Sequence, residues 1–472
     1  METKTPLHYG ESMKKQVLMC APFNTRSGYG DHARSIFYSI MDREDLEIKC
    51  VDVRWGSTPR NHLDPKNPKH KKLLDTFIDG KNIKVQPDIY IDIRIPNEFQ
   101  TPGKVNIGIT AGVEADICSA EFVLGCNKMN LNIVTSNFTK ETFMRSVYDK
   151  VNNDTKQPEG EVRISKPMAV LSEGIDTDIY KPIPDAGKSD DPFKKEIYDL
   201  VKENFVYLFV GQWGKGGYGQ DRKNIPLMIK CFMQAFANQP NPPALLLKTN
   251  GADFSILDRK ETVDKIKQIR DQFKELDTLP NIYLLHGDLT IEQMALLYNL
   301  PKIKAMLSCT HGEGFGRPLA EATCCDLPVI ASNWSGQLDF LNPKQSLMIE
   351  GELKPIPKSL IWKPIIVEPG KWFNVIETDV VNKLRYFKQH HKKLKHQAKL
   401  LGMNNRSKFS LTTMAKHFNQ VIDKALSAIP ETPKPMSLKL PKLKKMSNDM
   451  ESPTNKSNIS PTIKLPKLKK VT

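Results

Sequence analysis

A glycine-rich segment with two glutamates, His311-Gly-Glu-Gly-Phe-Gly-Arg-Pro-Leu-Ala-Glu321, carries the residues best suited to chemistry. An apolar strand is predicted to end near Cys309, the Gly-x-Gly steps form a tight turn, and Pro318 opens a helix. The first N–H groups of a helix have no partner within it, and the helix dipole favours an anion there. The pattern therefore predicts an anion site, and a diphosphate is the obvious candidate.

Glu313 precedes this turn and Glu321 lies inside the helix, with seven residues between them. Carboxylates do not bind an anion, but they accept hydrogen bonds from hydroxyl groups. A nucleotide sugar carries hydroxyl groups on both sides of its diphosphate. The two glutamates therefore predict a nucleotide sugar as the ligand.

A second loop rich in glycine, Gly211–Lys223, follows the first predicted strand of the same domain. A leaving nucleotide diphosphate needs cations that neutralise its phosphates. Arg222 and Lys223, just before the next predicted helix, are the candidates for that role. A solvated basic loop is the alternative interpretation.

These segments together resemble the retaining, GT-B-fold glycosyltransferases of family 4, within the glycosyl transferases group 1. The Glu-x7-Glu signature of that family matches Glu313 and Glu321, with the same Gly-Phe-Gly turn and following helix. The segments 327–332 and 335–340 resemble the family's next strand, loop and helix, and His286-Gly-Asp-Leu289 resembles its loop beside the nucleobase. The resemblance covers most of the second domain.

The resemblance implies an α/β GT-B fold, with two Rossmann-like domains facing across a cleft, and a role for each matching residue. It implies a hexosyltransferase-like enzyme that retains the anomeric configuration and uses neither a metal nor another cofactor. Glu313 would contact the donor sugar near the reaction centre, with Arg222 and Lys223 at the diphosphate. The residues assigned to donor binding are Gly314, Phe315, Gly316, Glu321, His286 and Lys248.

The first domain resembles the family more loosely. Gly28 and Gly30 open its first helix, as the family's acceptor-side loop does, and Glu114 takes a place where relatives present a residue, often histidine, towards the sugar. Glu173 begins a segment similar to the interdomain Pro-x-Gly-Val-Asp. Gln212 stands where many relatives carry arginine. These departures leave open a non-catalytic scaffold that binds a nucleotide sugar.

Two successive series of strands and helices must position these residues, beginning at Gln16–Ala21 and at Phe205–Gly211. The polar segment Trp55–Lys72 between early strands of the first series is predicted as a long loop. We predict an acceptor-side domain over 14–175, a donor domain over 176–410, a terminal helix over 411–428 and a disordered lysine-rich tail over 429–472.

The formal charge of +15 at pH 7 invites a nucleic-acid interpretation, but the charge is unevenly distributed. Residues 432–472 contain ten lysines against two acidic residues, a net charge of +8, and repeat the sequence Lys-Leu-Pro-Lys-Leu-Lys-Lys. No array of aromatic and basic residues resembles a nucleic-acid module. The tail is either a solvated extension or an arm for an anionic partner.

The compartment predicted from the sequence is the cytoplasm. The chain has no apolar run of the roughly 18 residues that a membrane span needs, and its start lacks the apolar stretch of a signal peptide. Its eight cysteines include no Cys-x-x-Cys pair and lie mostly in apolar segments, which indicates reduced core thiols. The expected acceptor is a carbohydrate, a lipid or a protein.

A dinucleotide-dependent oxidoreductase is the competing enzyme class. Gly28–Ala33 fits Gly-x-Gly-x-x-Ala, and Asp52 ends the next strand, as that fingerprint requires. Four residues, Asn24–Ser27, come between the strand and the first glycine and loosen the turn that the fingerprint requires. An oxidoreductase would also leave Glu313 and Glu321 unexplained. Asp176 and Asp178 form an Asp-x-Asp, but their position favours a domain junction over a metal site.

Overall fold

The computed structural model describes residues 14–429, with the exception of 57, 81–84, 153, 215–219 and 252. The lysine-rich repeat predicted at 439–445 and 464–470 lies outside the described residues. Among the described residues, none of the helices combines the length and the apolar character that a membrane crossing requires.

The N-terminal lobe contains a parallel sheet of six strands in the order β2-β1-β3-β4-β5-β8. Its strands are β1 (Lys15–Ala21), β2 (Leu46–Asp52), β3 (Ile89–Ile93), β4 (Val105–Thr110), β5 (Leu131–Val134) and β8 (Met168–Val170), while β6 (Tyr148–Val151) and β7 (Pro158–Val162) form an antiparallel pair. Its helices are α1 (Gly28–Ile40), α2 (Pro68–Leu74), α3 (Ala120–Lys128) and α4 (Asn137–Arg145). Helix α2 overlaps the end of the segment predicted as a loop.

The C-terminal lobe contains a second parallel sheet of six strands in the order β11-β10-β9-β12-β13-β14. Its strands are β9 (Val206–Val210), β10 (Ala244–Lys248), β11 (Ile282–Leu285), β12 (Ile303–Ser308), β13 (Val329–Ser332) and β14 (Leu347–Ile349), while β15 (Gly351–Pro355) and β16 (Lys371–Val375) form an antiparallel pair. Its helices are α5 (Pro192–Leu200), α6 (Ile225–Phe236), α7 (Ile256–Arg270), α8 (Ile291–Asn299), α9 (Arg317–Cys324) and α10 (Glu377–Lys408). The two-sheet α/β architecture predicted from the sequence is confirmed.

The central strands are buried along most of their length, which explains their apolar sequences. All five residues of β3 and the first four of β9 are buried. A parallel strand covered by helices on both faces has no solvent-facing side, so it does not alternate polar with apolar residues. The carboxyl ends of such strands carry the loops that position ligands, and both predicted glycine-rich donor loops begin there.

The last helix, α11 (Leu411–Ser427), returns to the N-terminal lobe. Its residues Met414, Phe418 and Ile422 belong to the same buried cluster as Ile36 of α1. The chain crosses between the lobes twice, once near Ile175 and once between Phe409 and Leu411. These two crossings are adjacent: the N–H of Ile175 donates to Phe409 O at 2.8 Å, and the N–H of Leu411 donates to Ile175 O at 2.9 Å. The lobes are therefore joined by paired segments.

Candidate functional site

The glycine-rich loop between β12 and α9 lies directly against the N-terminal lobe. A Cβ atom at Gly314 would collide with the carbonyl oxygen of Ala111, and one at Gly312 would lie 2.6 Å from the carbonyl oxygen of Glu114. Gly316 has φ +93°, a conformation that residues with side chains rarely adopt. The glycines therefore allow the loop to turn and to approach the opposite lobe.

Hydrogen bonds hold this contact between the lobes in place. The Ser136 hydroxyl donates to Gly314 O at 2.6 Å, and the N–H of Thr139 donates to the same Ser136 oxygen at 3.1 Å. Ser136 is thus both the N-cap of α4 and a partner of the glycine-rich loop. The N–H of Asn137 donates to Asp339 Oδ2 of the C-terminal lobe at 2.9 Å. The start of α4 is a docking point for the loop.

Glu313, Lys223 and Arg222, predicted as the catalytic group, lie together beside this loop. Lys223 Nζ lies 2.5 Å from Glu313 Oε1, and Arg222 Nη1 lies 3.6 Å from Glu313 Oε2. Arg222 Nη1 also lies 3.2 Å from Glu114 Oε1 in the N-terminal lobe. Two cations and two carboxylates from both lobes therefore meet at one point of the cleft.

This cluster fixes the charge of Glu313. Burial would raise the pKa of Glu313, but the adjacent cations Lys223 and Arg222 outweigh it and hold the pKa below its usual value. Burial lowers the pKa of Lys223, and Glu313 counteracts that effect. Burial also opposes the charge of Arg222, but Glu114 and Glu313 raise its pKa. Glu313 is consequently ionised at neutral pH.

Glu321 has different surroundings inside α9. Its Oε1 accepts from Arg317 Nε at 3.1 Å, and its Oε2 accepts from the Tyr298 hydroxyl at 3.4 Å. Arg317 Nη1 lies 3.7 Å from Glu173 Oε2, so two buried carboxylates share one guanidinium. Burial raises the pKa of Glu321 and that of Glu173 to about 7, although Arg317 partly offsets the shift. These carboxyl groups titrate near neutral pH.

His286 and Lys248 lie together at the carboxyl ends of β10 and β11. His286 Nε2 lies 2.8 Å from Asp258 Oδ2, and Lys248 Nζ donates to Gly287 O at 2.7 Å. Burial lowers the pKa of Lys248 to about 8. In the part of the chain that the structure describes, no hydrogen bond or ion pair joins either residue to the two glutamates. They form a region separate from the two glutamates.

The other assigned residues differ in what they contact. The side chain of Phe315 is buried against Phe340 and Phe409, with ring centroids 5.2 Å and 6.1 Å away, so a contact between Phe315 and a donor comes from its backbone. A Cβ at Gly30 would collide with the carbonyl oxygen of Thr25. By contrast, none of the described residues lies within 4 Å of a Cβ placed at Gly28.

Three residues that complete the site were not assigned from the sequence. Arg317 is four positions from Glu321 on one helix, and this spacing on a helix face was the available signal. The Tyr29 hydroxyl lies 2.9 Å from Thr110 Oγ1 and accepts a hydrogen bond from the N–H of Ala111 at 3.1 Å. Trp55 packs on the Tyr29 ring, with centroids 4.1 Å apart. These two contacts link the start of α1 to the loop that carries Glu114.

Residues behind the alternative interpretations have local partners. Asp52 Oδ1 accepts from the N–H of Asn24 at 3.0 Å, and Asp52 Oδ2 lies 2.6 Å from Arg60. Asp176 Oδ1 accepts from the N–H of Asp178 at 3.1 Å, within a turn between the lobes. Among the described residues, no group of three or more His, Cys, Asp or Glu side chains is arranged to hold a metal ion.

Part of the chain matches a family model, and its fold matches solved structures. Residues 191–353, which include both glutamates and the basic pair, match the family model described as Glycosyl transferases group 1. The structure is similar to Alr3699/HepE of Anabaena solved with UDP and glucose, at 12% identity and a TM-score of 0.58, covering 87% of this chain and all of that one. The sucrose-phosphate synthase of Thermosynechococcus elongatus gives 12% identity and a TM-score of 0.58, covering 88% of this chain and all of that one.

The fold is GT-B. A glycosyltransferase from Rickettsia africae gives a TM-score of 0.55 at 15% identity, with 88% of this chain and all of that one covered. None of the curated proteins matches this chain. The family model over residues 191–353 and the GT-B fold together support glycosyl transfer.

Proposed function

We propose that this GT-B protein is a retaining glycosyltransferase of family 4, which transfers a sugar from a nucleoside diphosphate sugar without a metal. The observation that carries the proposal is the cluster of Lys223, Arg222 and Glu313 at the glycine-rich loop, where both lobes meet. Its two cations suit a leaving diphosphate, and its buried carboxylate suits sugar hydroxyl groups.

The donor diphosphate would bind at the backbone of Gly314–Gly316, beside Arg222 and Lys223. Transfer breaks the bond between the anomeric carbon and the diphosphate, so negative charge develops on the departing oxygen. Fixed cations in a buried site stabilise that charge without reorganising at the moment of reaction. Glu313, held ionised by the same cations, would accept hydrogen bonds from the donor sugar and orient it.

The nucleoside would extend towards α9 and the β10–β11 edge. Glu321 would accept hydrogen bonds from the ribose, and His286 and Lys248 would border the nucleobase. Glu114 lies on the opposite lobe and shares Arg222 with Glu313, so it would face the acceptor hydroxyl, with Gly28 and Gly30 on the same side. UDP-glucose is the first donor to test, because similar structures were solved with UDP-glucose and with UDP and glucose.

A nucleotide screen tests this proposal and identifies the base. Thermal unfolding would be measured with UDP, GDP, ADP and NAD, for the natural chain and for Glu321→Ala. One nucleoside diphosphate should raise the Tm, by linkage, and the rise should be lost in the variant. The exposed Glu196 supplies a matched control, because Glu196→Ala should keep the full response.

The remaining outcomes separate the alternatives. Stabilisation by NAD alone would replace the transferase with the oxidoreductase. Binding of one nucleoside diphosphate without turnover of any of its sugars would favour the scaffold. Where turnover is found, NMR of the first product formed should show the anomeric configuration of the donor, and an inverted product would contradict the retaining mechanism.

A further inference from the structure

A long segment that spans most of α10 and α11 lacks acidic residues altogether. Residues 380–422 contain no aspartate or glutamate, but they contain ten lysine and arginine residues and four histidines. Most of this segment is helix α10, which packs against α6 and α9. In the sequence, this segment contains neither the lysine-rich tail nor any residue of the proposed donor site.

Part of this charge stabilises the fold. Arg385 Nε donates to Ala235 O at 3.0 Å at the end of α6, and Arg406 Nη1 donates to Cys324 O at 2.6 Å at the end of α9. Lys395 donates to a backbone carbonyl just after α9 at 2.8 Å. Cations at helix C-termini satisfy free carbonyl groups and complement the helix dipole. These residues have a structural role.

Three lysines of α10 have no such role. Lys392, Lys393 and Lys399 are exposed, and in the part of the chain that the structure describes they form no hydrogen bond or ion pair. Leu400 and Met403 are 49% and 64% exposed on the same side of the helix, away from its buried residues. We call these five residues the α10 outer face. It combines unpaired cations with exposed aliphatic side chains.

We propose that the α10 outer face docks on an anionic lipid bilayer. Lysines near a membrane surface are attracted by acidic headgroups, and aliphatic side chains on the same helix can enter the boundary between headgroups and acyl chains. Single-stranded nucleic acid instead selects aromatic side chains on which bases stack. Leu400 and Met403 among the lysines therefore favour lipid. The proposal does not depend on glycosyl transfer.

Co-sedimentation of the full chain with vesicles tests the docking. Binding to phosphatidylcholine vesicles that also carry phosphatidylserine would be compared with binding to phosphatidylcholine alone. Lys392→Gln with Lys393→Gln should weaken binding to the anionic vesicles roughly thirtyfold, from the contribution of two lysines near the surface. The control is Lys260→Gln with Lys267→Gln on α7, which removes the same charge from another exposed helix and should change binding by less than about threefold.

A second pair of variants tests the aliphatic contact. Leu400→Ser with Met403→Ser should weaken binding to the anionic vesicles roughly tenfold or more. Leu124→Ser with Met144→Ser removes the same residue types from the N-terminal lobe, where they are 50% and 48% exposed, and should leave binding unchanged. Equal Tm values for all variants would show that the fold is retained.

Three results would overturn the proposal. The first is unchanged vesicle binding in both α10 variants, which would assign any binding to another part of the chain. The second is equal weakening of vesicle binding by the α10 and α7 lysine variants, which would show that binding depends on the net charge of the chain and not on the α10 outer face. The third is binding of a single-stranded RNA oligonucleotide that depends on Lys392 and Lys393 without any binding to anionic vesicles.

Discussion

Glu313 and Glu321 lie at the two ends of one loop-helix segment and are both buried, but their surroundings differ in one respect. Glu313 faces two cations, Lys223 and Arg222, whereas Glu321 shares Arg317 with a second carboxylate, Glu173. The pKa of Glu313 is below its usual value because the two cations outweigh burial. Burial, with a smaller contribution from the Asp31 carboxylate, raises the pKa of Glu321 to about 7 against the opposing effect of Arg317. Burial alone does not decide the charge of a carboxyl group, because nearby charges can reverse the shift that burial causes.

The difference matches the two roles that we propose. The donor sugar and diphosphate need a constant electrostatic environment during bond cleavage, which the Glu313 cluster would supply. Ribose binding needs only an acceptor of hydrogen bonds, so a carboxylate that titrates near neutral pH is sufficient there. The comparison therefore predicts that changes near Glu313 affect turnover, while changes near Glu321 affect nucleotide affinity and its pH dependence.

The largest effect is expected from the loss of a cation beside Glu313. Lys223→Gln removes the 2.5 Å partner of Glu313 and one of the two charges at the proposed diphosphate site. We expect kcat/KM for the donor to fall roughly 10²–10³-fold, the range measured when one transition-state donor is removed. Lys195→Gln, at an exposed position of α5, is the matched control. A decrease of less than about fivefold would remove Lys223 from the mechanism.

A pH dependence of nucleotide binding is the next effect. Ionised Glu321 accepts hydrogen bonds from hydroxyl groups, and its raised pKa of about 7 means that it loses its charge as the pH falls through neutrality. We expect nucleoside diphosphate affinity, measured by calorimetry, to fall about tenfold from pH 8 to pH 6. The dependence should be weaker in Glu321→Gln, where the titration of the ligand's own terminal phosphate remains. Persistence of the full pH dependence in that variant would assign it to another group.

A smaller effect, on stability, is expected at Glu173. Its pKa is raised from 4.5 to about 7 by burial, so ionisation above pH 7 costs free energy that is absent below pH 4.5. Glu173→Gln removes this cost, and we expect the free energy of unfolding at pH 8 to rise by about 1–2 kcal/mol. The gain should vanish near pH 5. A loss of stability at pH 8 would show that the ion pair with Arg317 outweighs the cost.

The smallest effect is expected at Tyr298. Its hydroxyl donates to Glu321 Oε2 over 3.4 Å, near the limit for a hydrogen bond. Tyr298→Phe should weaken nucleoside diphosphate binding by about two- to fivefold through a higher Glu321 pKa, with kcat unchanged. Calorimetry on both sides of pH 7 would detect the shift. A fall in kcat with unchanged affinity would contradict the separation between the two glutamates.

The sequence predicted the two-sheet fold because buried parallel strands leave a clear apolar signal. Helix α10 was not predicted, although its buried residues Leu384, Phe387 and Leu394 recur at the helical spacing of three and seven residues. The return of α11 to the N-terminal lobe, by contrast, had no local signal. It depends on side chains such as Phe418 finding a surface that the first residues of the chain create.

The sequence assigned the glycine-rich loop and its basic pair because each is a local pattern with a mechanism. Arg317 was overlooked although it adjoins the turn, since only the structure shows that Glu173 approaches it from the interdomain segment. Gln212, which departs from the family pattern, donates to Gly251 O at 2.7 Å. Charge sharing between distant segments is a tertiary property and leaves no spacing to detect.

The most direct test of the central claim is to measure turnover and affinity together in Glu313→Gln. The variant keeps the shape of the side chain but removes the charge that Lys223 and Arg222 hold in place. We predict that kcat with the donor selected by the nucleotide screen falls roughly a hundredfold or more, while the Kd of its nucleoside diphosphate changes by less than about threefold. Undiminished turnover would contradict the account, because the Glu313 cluster would then not be the site of sugar transfer.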